Sequence, residues 1–307
     1  MHTTQKAISE RMKECDVVIE LLDARLPGSS ANPMLAALTE SRPRLKLLNK
    51  QDLADPARTA EWIAHYNAQS VTRALAVEAS HGAPAQRQML IDACHALAPS
   101  RGGLAKPMRV LICGVPNVGK STLINTLSAK RQAKAADEAG ITRNEQRITL
   151  ADDFYLYDTP GMLWPRIAAE QSGYRLAASG AVGRNAYNDE EVALELLAYL
   201  KTHYAAPLRE RFKLPQDVAA IAAMKDEDVL DAVGRQRGAL LGKGKINLQK
   251  AAEIVMTEFR AGNLGRVTLE TVQEFGAWLS AAEAADAERA AKKTARKARK
   301  PAIDRRG

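Results

Sequence analysis

The chain has 307 residues, of which 46 % are apolar and only 5 % aromatic, and it carries a formal net charge of +8. That length suits one large or two medium domains with a core of Leu, Val, Ile and Ala. No stretch resembles a signal peptide, and no apolar run approaches the roughly 18 residues of a membrane span, which argues against a membrane protein and for a cytoplasmic one.

In chain order, short apolar segments at residues 16–23, 45–48, 74–78, 109–113, 146–150 and 154–157 read as strands. Helical patterns at 57–68, 85–97 and 120–128 separate them. This alternation predicts an α/β domain with a mostly parallel six-stranded sheet covered by helices on both faces. Residues 99–104 read as a connector between its halves. Beyond Pro165 the strand signal fades, and helical patterns occupy 190–200, 215–223, 226–234, 247–260 and 269–285, with Asp226 as a start and Gly234 and Gly262 as stops. The reading is therefore a first domain over 1–165, an all-helical domain over 166–285 and a basic tail over 286–307 that is disordered, or helical only on a partner.

That tail is where the charge lies. From Arg289 onward nine basic residues face one acid, Asp304, so the tail alone carries the whole net charge. A block of one sign points to a polyanionic partner, with a merely solubilising tail as the alternative. Cys15, Cys94 and Cys113 lack metal-ligand spacing and are expected as buried free thiols.

The strongest motif is Gly114-x-x-x-x-Gly119-Lys120-Ser121, placed between a predicted strand and a predicted helix. Such a loop turns successive backbone N–H groups toward phosphates, and the helix N-terminus adds a favourable dipole. Asn117, Val118, Gly119, Lys120, Ser121 and Thr122 make up this cradle, with Lys120 reaching the β- and γ-phosphates and the Ser121 hydroxyl meeting Mg²⁺. Asp158-Thr159-Pro160-Gly161 follows at the end of a strand, where Asp158 is placed to hold Mg²⁺ and the Gly161 N–H to meet the γ-phosphate. Between them, Gly140-Ile141-Thr142-Arg143 offers the Thr142 hydroxyl as a second metal ligand. Lys120, Thr142 and Gly161 are thus the candidate catalytic groups.

Asn49-Lys50-Gln51-Asp52 reads as a guanine clamp. A carboxylate at Asp52 accepts from both N1–H and N2–H₂ of guanine, and adenine has no matching donors there. The Lys50 stem lies along the ring, and Asn49 bridges base and phosphate loop. Residues around Glu78, Ala79 and Ser80 are candidates for giving backbone N–H groups to the guanine O6. The clamp precedes the phosphate loop, whereas most guanine-nucleotide switches carry these pieces in the opposite order. Asp23-Ala24-Arg25, with Ser29-Ser30 and Asn32-Pro33 after it, ends the first strand, and on chemistry alone a salt-bridged turn explains it.

Together these residues resemble the circularly permuted GTPases, specifically the ribosome biogenesis GTPase A family. The resemblance rests on the Asp23-Ala24-Arg25 turn, residues 48–53, 114–125 (GVPNVGKSTLIN), Gly140 to Thr142, 158–165 (DTPGMLWP), 242–247 and 259–265, and so runs nearly end to end. It implies a monomeric GTPase that binds GTP and GDP with Mg²⁺, docks on a late precursor of the large ribosomal subunit and leaves after hydrolysis. The helical domain and tail would then contact rRNA, with Arg235, Arg237, Lys243, Lys245 and Lys250 as a second basic cluster, and binding would fall steeply with salt. Asn117 matches GTPases that place K⁺ beside the phosphates.

Ras-like enzymes orient water with a Gln directly after the D-x-x-G motif, where this chain has Met162. The family's histidine, from a Pro-Gly-His-Met stretch, would fall just before Met1, and His2 is one step off register; a start codon placed too late is the preferred explanation. Two alternatives stand beside the switch: an rRNA-binding scaffold in which GTP is structural, and a signalling switch with a protein effector.

Overall fold

The computed structural model describes residues 11–12, 14–39, 42–80, 83–128, 147–164 and 166–298. Six strands, β1 (Val17–Asp23), β2 (Arg44–Asn49), β3 (Thr72–Ala76), β4 (Met108–Gly114), β5 (Arg147–Ala151) and β6 (Phe154–Asp158), form one sheet in the order β3-β2-β1-β4-β6-β5. All neighbours pair in parallel except β5, which forms an antiparallel hairpin with β6. Four helices accompany the strands: α1 (Pro33–Leu38), α2 (Pro56–Asn67), α3 (Ala83–Leu97) and α4 (Lys120–Ser128). The predicted α/β class and sheet are thus what the molecule adopts.

β1 lies at the centre and every one of its residues is buried, as a strand covered on both faces requires. Its one interior charge, Glu20, sits opposite Lys46 of β2 and pairs with it, while accepting the Asn32 N–H at 2.8 Å. A buried charge is tolerable only with such partners.

The second half contains α5 (Glu170–Ser179), α6 (Asp189–His203), α7 (Ala205–Phe212), α8 (Val218–Ala223), α9 (Asp226–Gln236), α10 (Leu248–Arg260) and α11 (Val272–Ala298). Their own core gathers Leu196, Leu197, Leu200, Val229, Val255 and Phe259. α5 serves both cores: Leu176 packs under the sheet, while Ala177 and Ala178 join the helical cluster.

Three expectations need correction. α5 and α7 were not anticipated, because Gly173 and Pro207 interrupt their sequence patterns. Gly234 is no stop: α9 runs past it, and a Cβ there would come within 2.7 Å of Ile246 Cγ2, so glycine serves close packing. The tail is not irregular from residue 286, since α11 continues to Ala298. Its Ala-rich sequence favours helix, and Glu288–Lys292 and Asp286–Arg289 pairs at helical spacing add support. Residues 299–307, Met1 and His2 lie outside the described residues. The three cysteines are free and buried. Among the described residues no helix is long and apolar enough to cross a membrane.

Where the two halves meet, Glu270 is fully buried and accepts the N–H groups of Gly28 and Ser29 at 2.6 and 2.8 Å, with the Ser29 hydroxyl on its other oxygen. Burial pushes its carboxyl up to about 7, against the hydrogen bonds from Ser29 and Gly28 and the nearby Arg175. A raised folded value means that its stabilising contribution is complete below the ordinary 4.5 and is lost as pH climbs through 7. The gap corresponds to about 3 kcal/mol. Glu270→Gln keeps an acceptor for the two amides and supplies a donor to Ser29, so urea midpoints measured from pH 5 to 8 are expected to lose much of their downward slope. An unchanged slope would show that this carboxyl does not titrate in that window.

Candidate nucleotide site

The strand termini place the chemistry. Asp23, Asn49, Gly114 and Asp158 are the last residues of β1, β2, β4 and β6, so all four emerge at the carboxyl edge of one sheet, where open α/β sheets bind ligands. The clamp and the phosphate loop, 65 positions apart from Asn49 to Gly114, therefore become neighbours.

Asn49 welds three loops together. It is 2 % exposed, its Nδ2 donates to the Val118 carbonyl at 2.8 Å, and its Oδ1 accepts the Ala79 N–H at 2.9 Å. The Glu78 carbonyl in turn accepts from Gln86 at 2.8 Å. In this arrangement the Ala79 amide is engaged by Asn49 rather than turned to a base oxygen. Gly119 has φ +97°, and a Cβ there would come within 2.4 Å of Asn49 Nδ2, so the close approach of clamp and cradle requires glycine.

Lys50, in a left-handed conformation at φ 62°, donates to the Asn117 carbonyl at 3.0 Å and to Asp23 at 2.9 Å. The Asp52 carboxylate is exposed and makes no hydrogen bond within the described residues. Gln51 and Asp52 sit in the turn that follows the strand, closed by Leu53 N–H to Lys50 carbonyl at 3.0 Å.

On the phosphate side, Lys120 is buried and paired with Asp158, which is 1 % exposed. Ser121 and Thr122 follow Lys120 on the first turn of α4. The Thr159 hydroxyl donates to the Ile112 carbonyl at 2.9 Å, fixing the chain as it leaves β6. Gly161 lies over the phosphate loop: a Cβ on it would stand 3.1 Å from the Pro116 Cα. Met162 does not face this site. Its N–H donates to the Gly114 carbonyl at 3.1 Å, and its side chain packs with Met12, Cys15, Leu35 and Cys113. Thr142 lies outside the described residues.

Asp23-Ala24-Arg25 is a salt-bridged turn, as its chemistry alone suggested, but it does more than close itself. The Arg25 guanidinium, 1 % exposed, holds Asp23 at 3.0 and 2.8 Å, donates to the Phe259 carbonyl at 2.9 Å and lies 4.5 Å from the Phe259 ring centre. Burial works against the ionised Asp23, yet Arg25 and Lys50 outweigh it and hold the carboxyl well below the usual carboxylate range. A second link runs from Asn117, whose Nδ2 donates at 2.8 Å to the carbonyl of Gly180, the left-handed cap of α5. The same end of α5 is gripped by Arg260, which donates to the Ala177 and Ala178 carbonyls at 2.8 Å. Phe259 and Arg260, the last turn of α10, thus touch the supports of both the clamp and the phosphate loop.

A sheet with a glycine-rich phosphate loop, a D-T-P-G turn and a clamp strand that comes first in the chain defines a circularly permuted GTP-binding domain. Residues 109–211 match the family model described as 50S ribosome-binding GTPase. The match begins on the phosphate-loop strand and leaves out the clamp, as the permuted order requires. The chain is 39 % identical over 286 residues to ribosome biogenesis GTPase A of Bacillus cereus, covering 90 % of this chain and 93 % of that one. It is 37 % identical to the ribosome biogenesis GTPase A of Priestia megaterium, covering 89 % and 95 %. The crystal structure of GNP-bound YlqF from T. maritima shares the fold, with a TM-score of 0.61, 24 % identity, and coverage of 88 % and 98 %. The chain belongs to the ribosome biogenesis GTPase A family and is a GTPase.

Proposed function

We propose that the chain is a GTP-driven assembly factor: GTP-bound it docks as a cytoplasmic monomer on the maturing large ribosomal subunit, promotes late assembly, and is released on hydrolysis. The observation that carries this reading is the double link from the nucleotide loops to α10, through Arg25 to Phe259 and through Asn117 and Gly180 to Arg260. It offers a physical route by which nucleotide state reaches the helical half.

In this reading residues 1–165 handle the nucleotide, 166–285 contact rRNA, and the basic segment 286–307 adds phosphate contacts. Lys243, Lys245 and Lys250 are exposed and make no ion pair within the described residues, which suits them for phosphate. Arg235 and Arg237 suit it less, because Asp231 holds the first at 2.8 Å and Glu258 lies 3.6 Å from the second.

The guanine base sits against Asp52 and the Lys50 stem, with Asn49 and Gln51 fixing the turn and the Glu78–Ala79 loop closing the far side. The cradle residues 117–122 hold the phosphates. Lys120 is the group for the β- and γ-phosphates, and Asp158, with the Ser121 and Thr142 hydroxyls, would hold Mg²⁺. A buried acid paired only with the loop lysine among the described residues is suited to a divalent ion. The metal supplies charge neutralisation of the triphosphate. Gly161 gives its N–H to the γ-phosphate. The thioether of Met162 is packed away from that position, so the water is oriented by another group and turnover alone is slow. Asn117 Nδ2 is committed to Gly180, which leaves its Oδ1 for K⁺.

GTP turnover with and without large subunits, in K⁺ and in Na⁺, tests this. Stimulation by the subunit that is stronger in K⁺ is expected. No stimulation would favour the scaffold in which GTP is structural, and equal rates in both salts would remove K⁺ from the mechanism.

A further inference from the structure

The turn that carries the guanine clamp is not held by its own half of the molecule alone. After Asp52 the chain must reverse into α2, and its carbonyls need donors. The Lys50 carbonyl finds one inside the turn, and those of Gln51, Leu53 and Ala54 are met from the segment following α10. Arg266 donates from Nη2 to the Gln51 carbonyl and from Nε to the Ala54 carbonyl, both at 2.9 Å, and the Val267 N–H donates to the Leu53 carbonyl at 3.0 Å. Gly262, at φ +76°, clears the way, because a Cβ there would stand 2.5 Å from Leu53 Cδ2. The two carbonyls held by Arg266 bracket Asp52 in sequence, and a planar guanidinium fixes both at once in a way no single-point donor can.

We propose that Arg266 is a positioning residue for guanine selection: supplied by the helical half, it sets the turn so that the Asp52 carboxylate meets both guanine donors together. The inference rests on the reading of Asp52 as the guanine acceptor and adds what holds it in place. Its consequence is that base preference depends on the seating of the helical half. A base with two donors needs the carboxylate aligned in plane, whereas hypoxanthine, which lacks the exocyclic amine, needs only one oxygen in reach. Loosening the turn must therefore penalise guanine more.

GDP and IDP affinities of the full chain, measured calorimetrically for the parent, Arg266→Ala, Arg266→Lys and Asp52→Asn, test this. Arg266→Ala is expected to weaken GDP on the order of 10-fold, the worth of charge-assisted hydrogen bonds. IDP should weaken by much less, so that the preference for GDP narrows. Arg266→Lys, keeping one donor, should fall between. Equal weakening of both nucleotides, or an unchanged GDP affinity, would reduce Arg266 to a bolt between the halves and overturn the proposal. If Asp52→Asn leaves the GDP preference intact, the guanine reading itself fails, whatever Arg266 does.

Discussion

Asn49→Ala is expected to weaken GDP binding by at least about 100-fold. The substitution leaves the Ala79 N–H and the Val118 carbonyl without their shared partner, at about 1–3 kcal/mol for each buried group. In the empty protein both loops relax toward water and recover part of that cost. With a nucleotide bound they cannot, because base and phosphates hold them in place, so the loss appears mainly as affinity. Titration with a fluorescent GDP analogue measures the loss, and thermal unfolding of the empty chain serves as the control. An affinity within threefold of the parent would mean that the two loops are aligned by something other than this side chain.

Arg25→Ala is expected to cost about 3–5 kcal/mol of stability, since it leaves a buried carboxylate with Lys50 alone to balance it and unties α10 from the sheet. The magnitude needs little discount for solvent, because both side chains are almost wholly buried. Asp23 has a depressed folded value, so the stability it contributes is present above the ordinary 3.8 and is lost as pH falls below that toward the depressed value. Without Arg25 that acid sensitivity shrinks, as there is less left to lose. Urea unfolding at pH 7 and at pH 3, inside that window, reads both effects. Combining Asp23→Asn with Arg25→Met should recover part of the loss, because no buried carboxylate is then left to be balanced and Lys50 keeps the Asn117 carbonyl. A double variant no more stable than Arg25→Ala would place the damage in the contact with Phe259.

Both experiments concern residues whose chemistry the sequence announced only in part. Asn49 was legible as the bridge of a guanine clamp because its motif follows a strand directly, and the structure brings it onto the phosphate loop. Asp23-Ala24-Arg25 was legible as a local ion pair, but Phe259, 234 positions away, was not. Arg266 escaped notice although the residues just before it were singled out, since no periodicity or spacing tells an arginine after a helix which carbonyls it will find. Glu270 and the Glu20–Lys46 pair were missed for the same reason. A charge in an apolar run reads as an interruption until its partner on another strand is known.

Local chemistry alone determined the sheet, its parallel pairing and the loop motifs at its carboxyl edge. β-branched runs, glycines beside a phosphate cradle and the residues that end strands act over a few positions and leave their mark in chain order. What only the tertiary structure decided is how the two halves are joined: a turn of α10 reaching both sides of the site, and an arginine from beyond it holding the clamp. Such contacts are made between groups 82 to 234 positions apart, where hydrogen-bond direction and burial, rather than sequence neighbours, choose the partner.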